Sequence, residues 1–154
     1  MLKKIKELLK SREFISVATC DLNYKPNAAS KFLLKLEDKF LYLADHVFGR
    51  TFSNLKDNPQ VSISFADTNT LCGYQINGRV EILERGAEYD KIIKEMRQKQ
   101  IDSSTRRIIE GVTSGKTHGG FMISLPDKVV IFKVYIVEAI EVGSTGQLKK
   151  EKYE

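Results

Sequence analysis

The stretch VFGRTFSNLKDNPQVSISFAD, residues 47–67, joins two patterns that decide how the chain folds. Its first half contains a short helix-like segment, 49–57, that ends at Asn58 and Pro59, because proline disfavours helical backbone in the residue before it. Its second half, 60–67, alternates apolar and polar side chains, which is the pattern of a strand with one buried face. The sequence therefore predicts a short helix that leads directly into a half-buried strand.

The same alternation recurs on both sides of that stretch, so we predict a sheet of several short strands. The other predicted strands are 14–21, 27–37, 39–45, 73–83, 121–127 and 128–142. Apolar residues at helical spacing predict a helix over 2–11, and over 86–110 they predict one good helix and a second, weaker one. A polar, glycine-rich stretch, 111–120, is predicted to be a loop, and the polar tail after Gly143 to be frayed. Six or seven mostly antiparallel strands with inserted helices indicate a closed or half-closed barrel.

Length and composition limit the classes of protein to which the chain can belong. Its 154 residues, 42% of them hydrophobic, suit one globular domain, predicted at 1–143 with a polar C-terminal tail at 144–154. No apolar run approaches the roughly 18 residues of a membrane-spanning helix, and Met1–Lys10 lacks the apolar core of a signal peptide. The isolated cysteines, Cys20 and Cys72, indicate reduced thiols, so we expect a cytoplasmic protein with no membrane partner.

The net charge of +5 does not by itself indicate a nucleic-acid partner. Lysines cluster at the two ends of the chain, without the interleaved aromatic residues that stack on bases. A nucleic-acid-binding barrel would show steeply salt-dependent binding. We expect no such partner, and a small anionic ligand is another outlet for the positive charge.

No motif in the sequence supplies a self-sufficient catalytic site. The segment GVTSGKT has only three residues between Gly111 and Gly115, and a helix precedes it, so it does not match a phosphate-binding loop. The two histidines, His46 and His118, have no Cys or Glu at metal-ligand spacing, so no metal site is predicted. If the protein catalyses a reaction, a bound cofactor must therefore supply the difficult chemistry. No catalytic residue is assigned, and His118 is a candidate proton donor.

Arg50 and Thr51 stand where the short predicted helix begins. Unpaired N–H groups and the helix dipole make such an N-terminus favourable for a phosphate, and a cation and a hydroxyl would strengthen the site. Ser30 and Lys31, on the preceding hairpin strand, are placed to approach the same point. The alternative is that Thr51 or Ser53 is an ordinary helix cap and that both cations are solvated. Local features alone favour that alternative.

The order and spacing of these segments resemble the FMN-binding split-barrel family, which includes the pyridoxamine 5′-phosphate oxidases. The resemblance covers about residues 13–83, and the matching pieces are SVAT (16–19), KPNAASKF (25–32), LYLAD (41–45), RTFSNLKDNPQVSISF (50–65) and GYQINGRVEI (73–82). It implies a mainly β (α+β) fold, an antiparallel split β-barrel of about six strands with flanking helices. It also implies a homodimer with FMN at the subunit interface and a small-molecule substrate or electron donor.

The resemblance further implies which residues bind the cofactor. They are Ser30, Lys31, Ala44, Asp45, His46, Val47, Arg50, Thr51, Asn54 and Gln75. The two strand residues and the three helix residues of this set would surround the ribityl chain and the phosphate. The four consecutive residues from Ala44 would run their backbone along the isoalloxazine ring, and Gln75 would reach the flavin from the partner subunit.

The chain departs from the family pattern at its C-terminus. The pyridoxamine 5′-phosphate oxidases carry a C-terminal motif with an arginine that binds the substrate's phosphate, but no arginine follows Arg107 here. We therefore expect an FMN-dependent oxidoreductase that acts on another small molecule. The alternative is a non-catalytic protein of the same fold that binds or carries a flavin, a deazaflavin or haem.

Overall fold

The computed structural model describes residues 1–115 and 128–153. The helices in this part of the chain are α1 (Leu2–Leu9), α2 (Arg50–Asp57) and α3 (Ala87–Ser114). The strands are β1 (Phe14–Cys20), β2 (Pro26–Glu37), β3 (Phe40–Asp45), β4 (Gln60–Asp67), β5 (Cys72–Leu83), β6 (Val130–Val142) and β7 (Leu148–Lys152). Each predicted strand within the described residues, and each of the first two predicted helices, agrees with one of these elements to within two residues. The strand predicted at 121–127 and half of the loop predicted at 111–120, its residues 116–120, lie outside the described residues.

The first six strands form an antiparallel barrel in the order β3-β2-β1-β4-β5-β6, which the pairing of β3 with β6 closes. One edge of β6 pairs with β5, and its other edge is shared between two partners. Residues 130–135 of β6 pair with β3, and residues 138–142 pair with β7. This topology confirms the predicted mainly β (α+β) fold, an antiparallel split β-barrel of about six strands with flanking helices.

The barrel core follows from the alternation that the sequence shows. Val17 in β1 and Ile63 in β4 are fully buried, while the residues beside them face outward. Helix α1 adds Ile5 and Leu9 to this core, and α2 adds Leu55. Each of these short helices buries one apolar stripe against the barrel, which stabilises it more than its own helix propensity does.

Strand β3 is buried on both faces, which explains why its apolar residues run almost without interruption. Leu41 and Leu43 point into the barrel core, whereas Tyr42 and Ala44 pack on the outside. Helix α3 covers these two outer residues, and its Met96 packs with them in one apolar cluster. One part of the barrel wall is therefore shielded by a helix.

One continuous helix occupies the region that the sequence divided in two. Helix α3 has 28 residues, so the break predicted within 86–110 is wrong, and the first four residues of the predicted loop 111–120 are helical. In its second half Ile101 and Ile108 are 58% and 44% exposed, so no continuous apolar stripe faces the core there. The helix ends at Gly115, whose φ of 66° is the left-handed conformation common at helix C-termini.

The C-terminal tail forms a strand, so the prediction that it is frayed is wrong. Strand β7 is hydrogen-bonded along β6. Tyr153 packs against the barrel core, and its N–H donates to the carbonyl of Val137 at 2.8 Å. The N-terminal amino group of Met1 lies 2.7 Å from the carboxylate of Glu151. The polar composition of the tail concealed these long-range partners.

Gly78 lies at a close approach of β5 and β6. The register of the two strands shifts between Asn77 and Gly78, which leaves Val137 as an extra residue in β6. A Cβ atom on Gly78 would lie 2.4 Å from the carbonyl oxygen of Tyr135. The approach of one backbone to the other therefore requires glycine at this position.

Candidate functional site

The N-terminus of α2 is open. Its N-cap residue is Gly49, and no side chain makes a capping hydrogen bond there. The alternative in which Thr51 or Ser53 caps the helix is therefore wrong. Arg50, the first residue of the helix, is exposed. The first turn thus presents backbone N–H groups together with a cation, a combination that favours an anionic group.

Thr51 and Asn54 hold α2 against the barrel. Both are buried; the hydroxyl of Thr51 accepts a hydrogen bond from the amide of Asn27 at 3.1 Å, and the amide of Asn54 donates to the hydroxyl of Thr19 at 3.1 Å. Sequence reasoning missed Asn27 and Thr19, although both stand in strands that it identified. The available signal was strand parity, because Asn27 is a polar residue on the same face of β2 as Lys31.

The structure separates Ser30 from Lys31. Neighbouring residues of a strand point to opposite faces; Ser30 is exposed on the outside of the barrel, and Lys31 is buried. The ammonium of Lys31 lies 2.8 Å from Oδ2 of Asp45, and the two side chains are only 6% and 2% exposed. The charge of Lys31 is therefore balanced by Asp45.

Asp45 also shapes the loop between β3 and α2. Its Oδ1 accepts a hydrogen bond from the N–H of Val47 at 3.2 Å. This N–H is one of the backbone donors that the sequence analysis expected to bond the flavin ring, and here it already has a partner. His46 and Val47 are exposed. Phe48 follows with a φ of 50°, which is uncommon for a bulky residue, and its ring meets that of Phe52 edge-on at 5.1 Å. This turn sets the direction in which α2 begins.

A row of polar side chains crosses the outer face of the barrel. The strand register places Ser16 between Ser30 and Ser64, and Ser64 beside Gln75. Ser30 and Gln75 are thus three strand steps apart, about 14 Å at the usual strand spacing. The amide of Gln75 donates to Oδ1 of Asn77 at 2.9 Å. Within one chain, Gln75 therefore does not reach Ser30.

Ser30 shares strand β2 with Asn27, the residue that Thr51 contacts. Thr51 contacts Asn27, which is three residues from Ser30 along β2 and hence about 10 Å away. The structure thus places Arg50 and Thr51 together on the first turn of α2, with Asn54 one turn further on. Ser30 faces the other side of β2 from Asn27, so no contact in the described part of the chain joins it to this helix end. The fold places Ala44 beneath α3, and it places Gln75 at the end of the polar row that is farthest from Ser30.

The described residues hold no group of three or more His, Cys, Asp or Glu side chains arranged to bind a metal ion. In the same residues, no helix is long and apolar enough to cross a membrane. His118, the candidate proton donor, lies outside the part of the chain that the structure describes.

Comparison with known proteins gives a family match over most of the chain. Residues 1–116 match the model of the pyridoxamine 5′-phosphate oxidase family. An uncharacterized protein of Methanocaldococcus jannaschii is 30% identical over 101 residues, which are 62% of this chain and 66% of that relative. The chain thus spans just under two thirds of the length of this curated relative.

Solved structures share the fold at low sequence identity. A protein of Clostridium acetobutylicum related to general stress protein 26 is 19% identical, with a TM-score of 0.65 over 98% of this chain and 93% of that one. A pyridoxamine 5′-phosphate oxidase-related, FMN-binding protein of Nostoc punctiforme is 12% identical, with a TM-score of 0.55 over 97% of this chain and 91% of that one. Together with the match over residues 1–116, the barrel topology leads to one conclusion: the chain belongs to the pyridoxamine 5′-phosphate oxidase family.

Proposed function

We propose that the protein is an FMN-binding flavoprotein that works as a homodimer and oxidises or reduces a small molecule. The observation that carries this proposal is the open N-terminus of α2, with Arg50 exposed on its first turn. The proposal does not extend to pyridoxamine phosphate oxidation, because the chain has no arginine after Arg107. The solved structure from Nostoc punctiforme, which is that of an FMN-binding protein with the same fold, supports the choice of a flavin as cofactor.

The donors at this site suit the phosphate end of FMN. Arg50 would form charge-assisted hydrogen bonds with the phosphate, and the first N–H groups of α2 would add to them. Ser30 would meet the ribityl chain. Lys31 would act indirectly, because its bond to Asp45 fixes the loop that carries His46. When bound, FMN would supply the electron-transfer chemistry that no described side chain of this site offers.

The dimer is proposed from the outer face of β1, β2, β4 and β5. Four of its outward side chains, Ala18, Ala28, Ser64 and Ala66, are small, so a second molecule can approach this part of the sheet closely. A partner related by a two-fold axis would also bring a second Gln75 towards the cofactor, which one chain by itself does not do. We further propose a cytoplasmic location, since both cysteines are free thiols in the structure.

Replacing Arg50 tests the proposed phosphate site. We expect Arg50→Ala to weaken FMN binding by about 1.5–3 kcal/mol, the usual contribution of a hydrogen bond to a charged group, which is roughly a 10- to 150-fold rise in Kd. The measurement is titration of the FMN-free protein with FMN, followed by quenching of flavin fluorescence.

Arg97→Ala is the matched control, because it removes an exposed arginine from the middle of α3 and changes the net charge equally. An equal effect of both substitutions, or none from either, contradicts the phosphate site at α2. Bleaching of the bound flavin by NAD(P)H would favour an oxidoreductase, and stable colour in its presence would favour a carrier.

A further inference from the structure

The second half of α3 carries exposed apolar side chains along one face. Ile101, Ile108, Ile109 and Val112 are 58%, 44%, 57% and 81% exposed. They occupy positions i, i+7, i+8 and i+11 of the helix, so they lie above one another on a single face, and we call these four residues the outer stripe. A contiguous apolar surface of this kind marks a site of interaction.

The opposite face of the same helix holds α3 on the barrel. Met96 packs in the apolar cluster of the barrel wall, and Ser103 is buried. The guanidinium of Arg107 pairs with the carboxylate of Glu13. At 3.6 residues per turn, these helix positions lie nearly opposite the outer stripe. The barrel therefore covers one face of α3, and the outer stripe stays exposed in the described part of the chain.

The charges along the outer face favour a second copy of α3 in antiparallel orientation. Three exposed basic residues, Lys91, Lys94 and Arg97, precede the stripe on the same face, and none forms an ion pair within the described residues. Between Ile101 and Val112 that face carries no charged side chain. The last turn of α3 has no basic residue, although the C-terminal end of a helix carries a partial negative charge.

Orientation decides whether these charges attract or repel. In an antiparallel pair with Ile101 of one copy beside Val112 of the other, the basic residues of each copy lie beside the C-terminal end of the other helix. Cations are favourable at that end. A parallel pair would instead place the basic residues of the two copies side by side, and like charges in contact are unfavourable.

The size of the stripe indicates a weak contact. From Ile101 to Val112 it extends over about 17 Å, at 1.5 Å per residue. A helix pair of this length buries less than the roughly 1,200 Å² at the lower end of stable interfaces. Association through the stripe alone should therefore depend on protein concentration. The stripe is separate from the outer sheet face of the proposed homodimer, so the two contacts together would join two dimers into a tetramer.

We propose that the outer stripe of α3 is a self-association surface, on which the outer stripe of a second copy packs in antiparallel orientation around a two-fold axis. Because a two-fold contact uses the same patch on both molecules, one stripe per chain is sufficient. The inference goes beyond the proposed function and does not depend on the binding of FMN.

Sedimentation equilibrium of the full-length protein over a series of concentrations tests the contact. We expect the mass to double as the concentration rises, from monomer to dimer or from dimer to tetramer. Ile108→Asp should raise the Kd of this doubling by about 100-fold, because each copy loses a buried isoleucine and buries a charge. Val112→Asp, at the most exposed position of the stripe, should weaken the doubling without disturbing the fold.

Leu71→Asp is the matched control for the doubling. Leu71 is 74% exposed in the turn between β4 and β5, so the substitution makes the same change of charge at an apolar surface residue outside α3. It should leave the Kd of the doubling unchanged. Circular dichroism of each variant checks that the fold is retained.

Disulfide cross-linking tests the orientation. In the antiparallel pair, a mixture of Ile101→Cys and Val112→Cys should form a cross-linked product that neither variant forms alone, since a disulfide needs Cβ atoms about 4 Å apart. The original protein, with Cys20 and Cys72, is the control for links through its own thiols.

Three results would overturn the inference. The first is a mass that stays constant at every concentration, as when another segment of the chain or a different partner covers the stripe. The second is a doubling that Ile108→Asp leaves unchanged or that Leu71→Asp weakens equally. The third is cross-linking of each cysteine variant with itself, which would show a parallel pair.

Discussion

Replacing Lys31 by methionine is expected to lower the free energy of unfolding by about 3–5 kcal/mol, because it leaves the buried carboxylate of Asp45 without its counter-charge. Lys31 and Asp45 are 6% and 2% exposed and 2.8 Å apart, so water cannot replace the lost ammonium at low cost. Urea unfolding of the original protein and of Lys31→Met measures the difference. Few single substitutions outside the apolar core should have so large an effect.

Two further variants separate the lost ion pair from lost packing. Lys31→Met with Asp45→Asn removes the buried charge and keeps an oxygen that can accept from the N–H of Val47, so it should be more stable than Lys31→Met alone. Lys35→Met changes a lysine of the same strand that is 25% exposed, and should cost far less. Unchanged stability of Lys31→Met, accompanied by a large loss of FMN affinity, would instead make Lys31 a phosphate ligand.

Gly78→Ala is expected to cost about 3 kcal/mol, at the upper end of the usual range for overpacking. The new Cβ would lie 2.4 Å from the carbonyl oxygen of Tyr135 and 2.9 Å from Cγ1 of Val134. The nearer atom belongs to the backbone of a paired strand, so relief requires β5 and β6 to separate at their register shift. The measurement is again the urea midpoint, with the slope of the transition as a check on two-state behaviour.

Gly73→Ala is the matched control on the same strand. A Cβ there meets nothing closer than 3.7 Å, which is an ordinary contact. The change should be neutral or should stabilise the protein slightly, by about 0.4–1 kcal/mol, since alanine restricts the unfolded chain. Equal losses at Gly73 and Gly78 would show that loss of glycine, rather than the close approach at the bulge, determines the cost.

The fold was largely predictable because its strands carry a clear local signal. In β4 the alternation of Val61 and Ile63 with serines defines both the strand and its buried face. The helix α2 was equally clear, since Asn58 and Pro59 end it. Local patterns failed for α3 and β7: the second half of α3 has exposed isoleucines, and β7 depends on pairing with β6 and on the contacts of Tyr153.

The candidate site was predictable only where one element defines it. Arg50 at the start of α2 follows from the helix signal alone. The pairing of Lys31 with Asp45 was missed, because it joins two strands whose register the sequence does not specify. Strand parity could still have shown that Ser30 and Lys31 face opposite ways. The cavity of about 250 Å³ between α3 and the outer faces of the first three strands could not be predicted either, since one wall is the continuous helix that the sequence divided in two.

The sharing of β6 between β3 and β7 has a consequence for solubility. Where β3 leaves β6, an unpaired strand edge would remain, and such edges recruit other chains into aggregates. Strand β7 occupies that edge and presents Lys149, Lys150 and Lys152, all exposed, on the new margin of the sheet. Lysines on an edge strand repel a further strand by charge and by the cost of desolvation. The short polar strand at the C-terminus thus protects the barrel against self-association through its backbone.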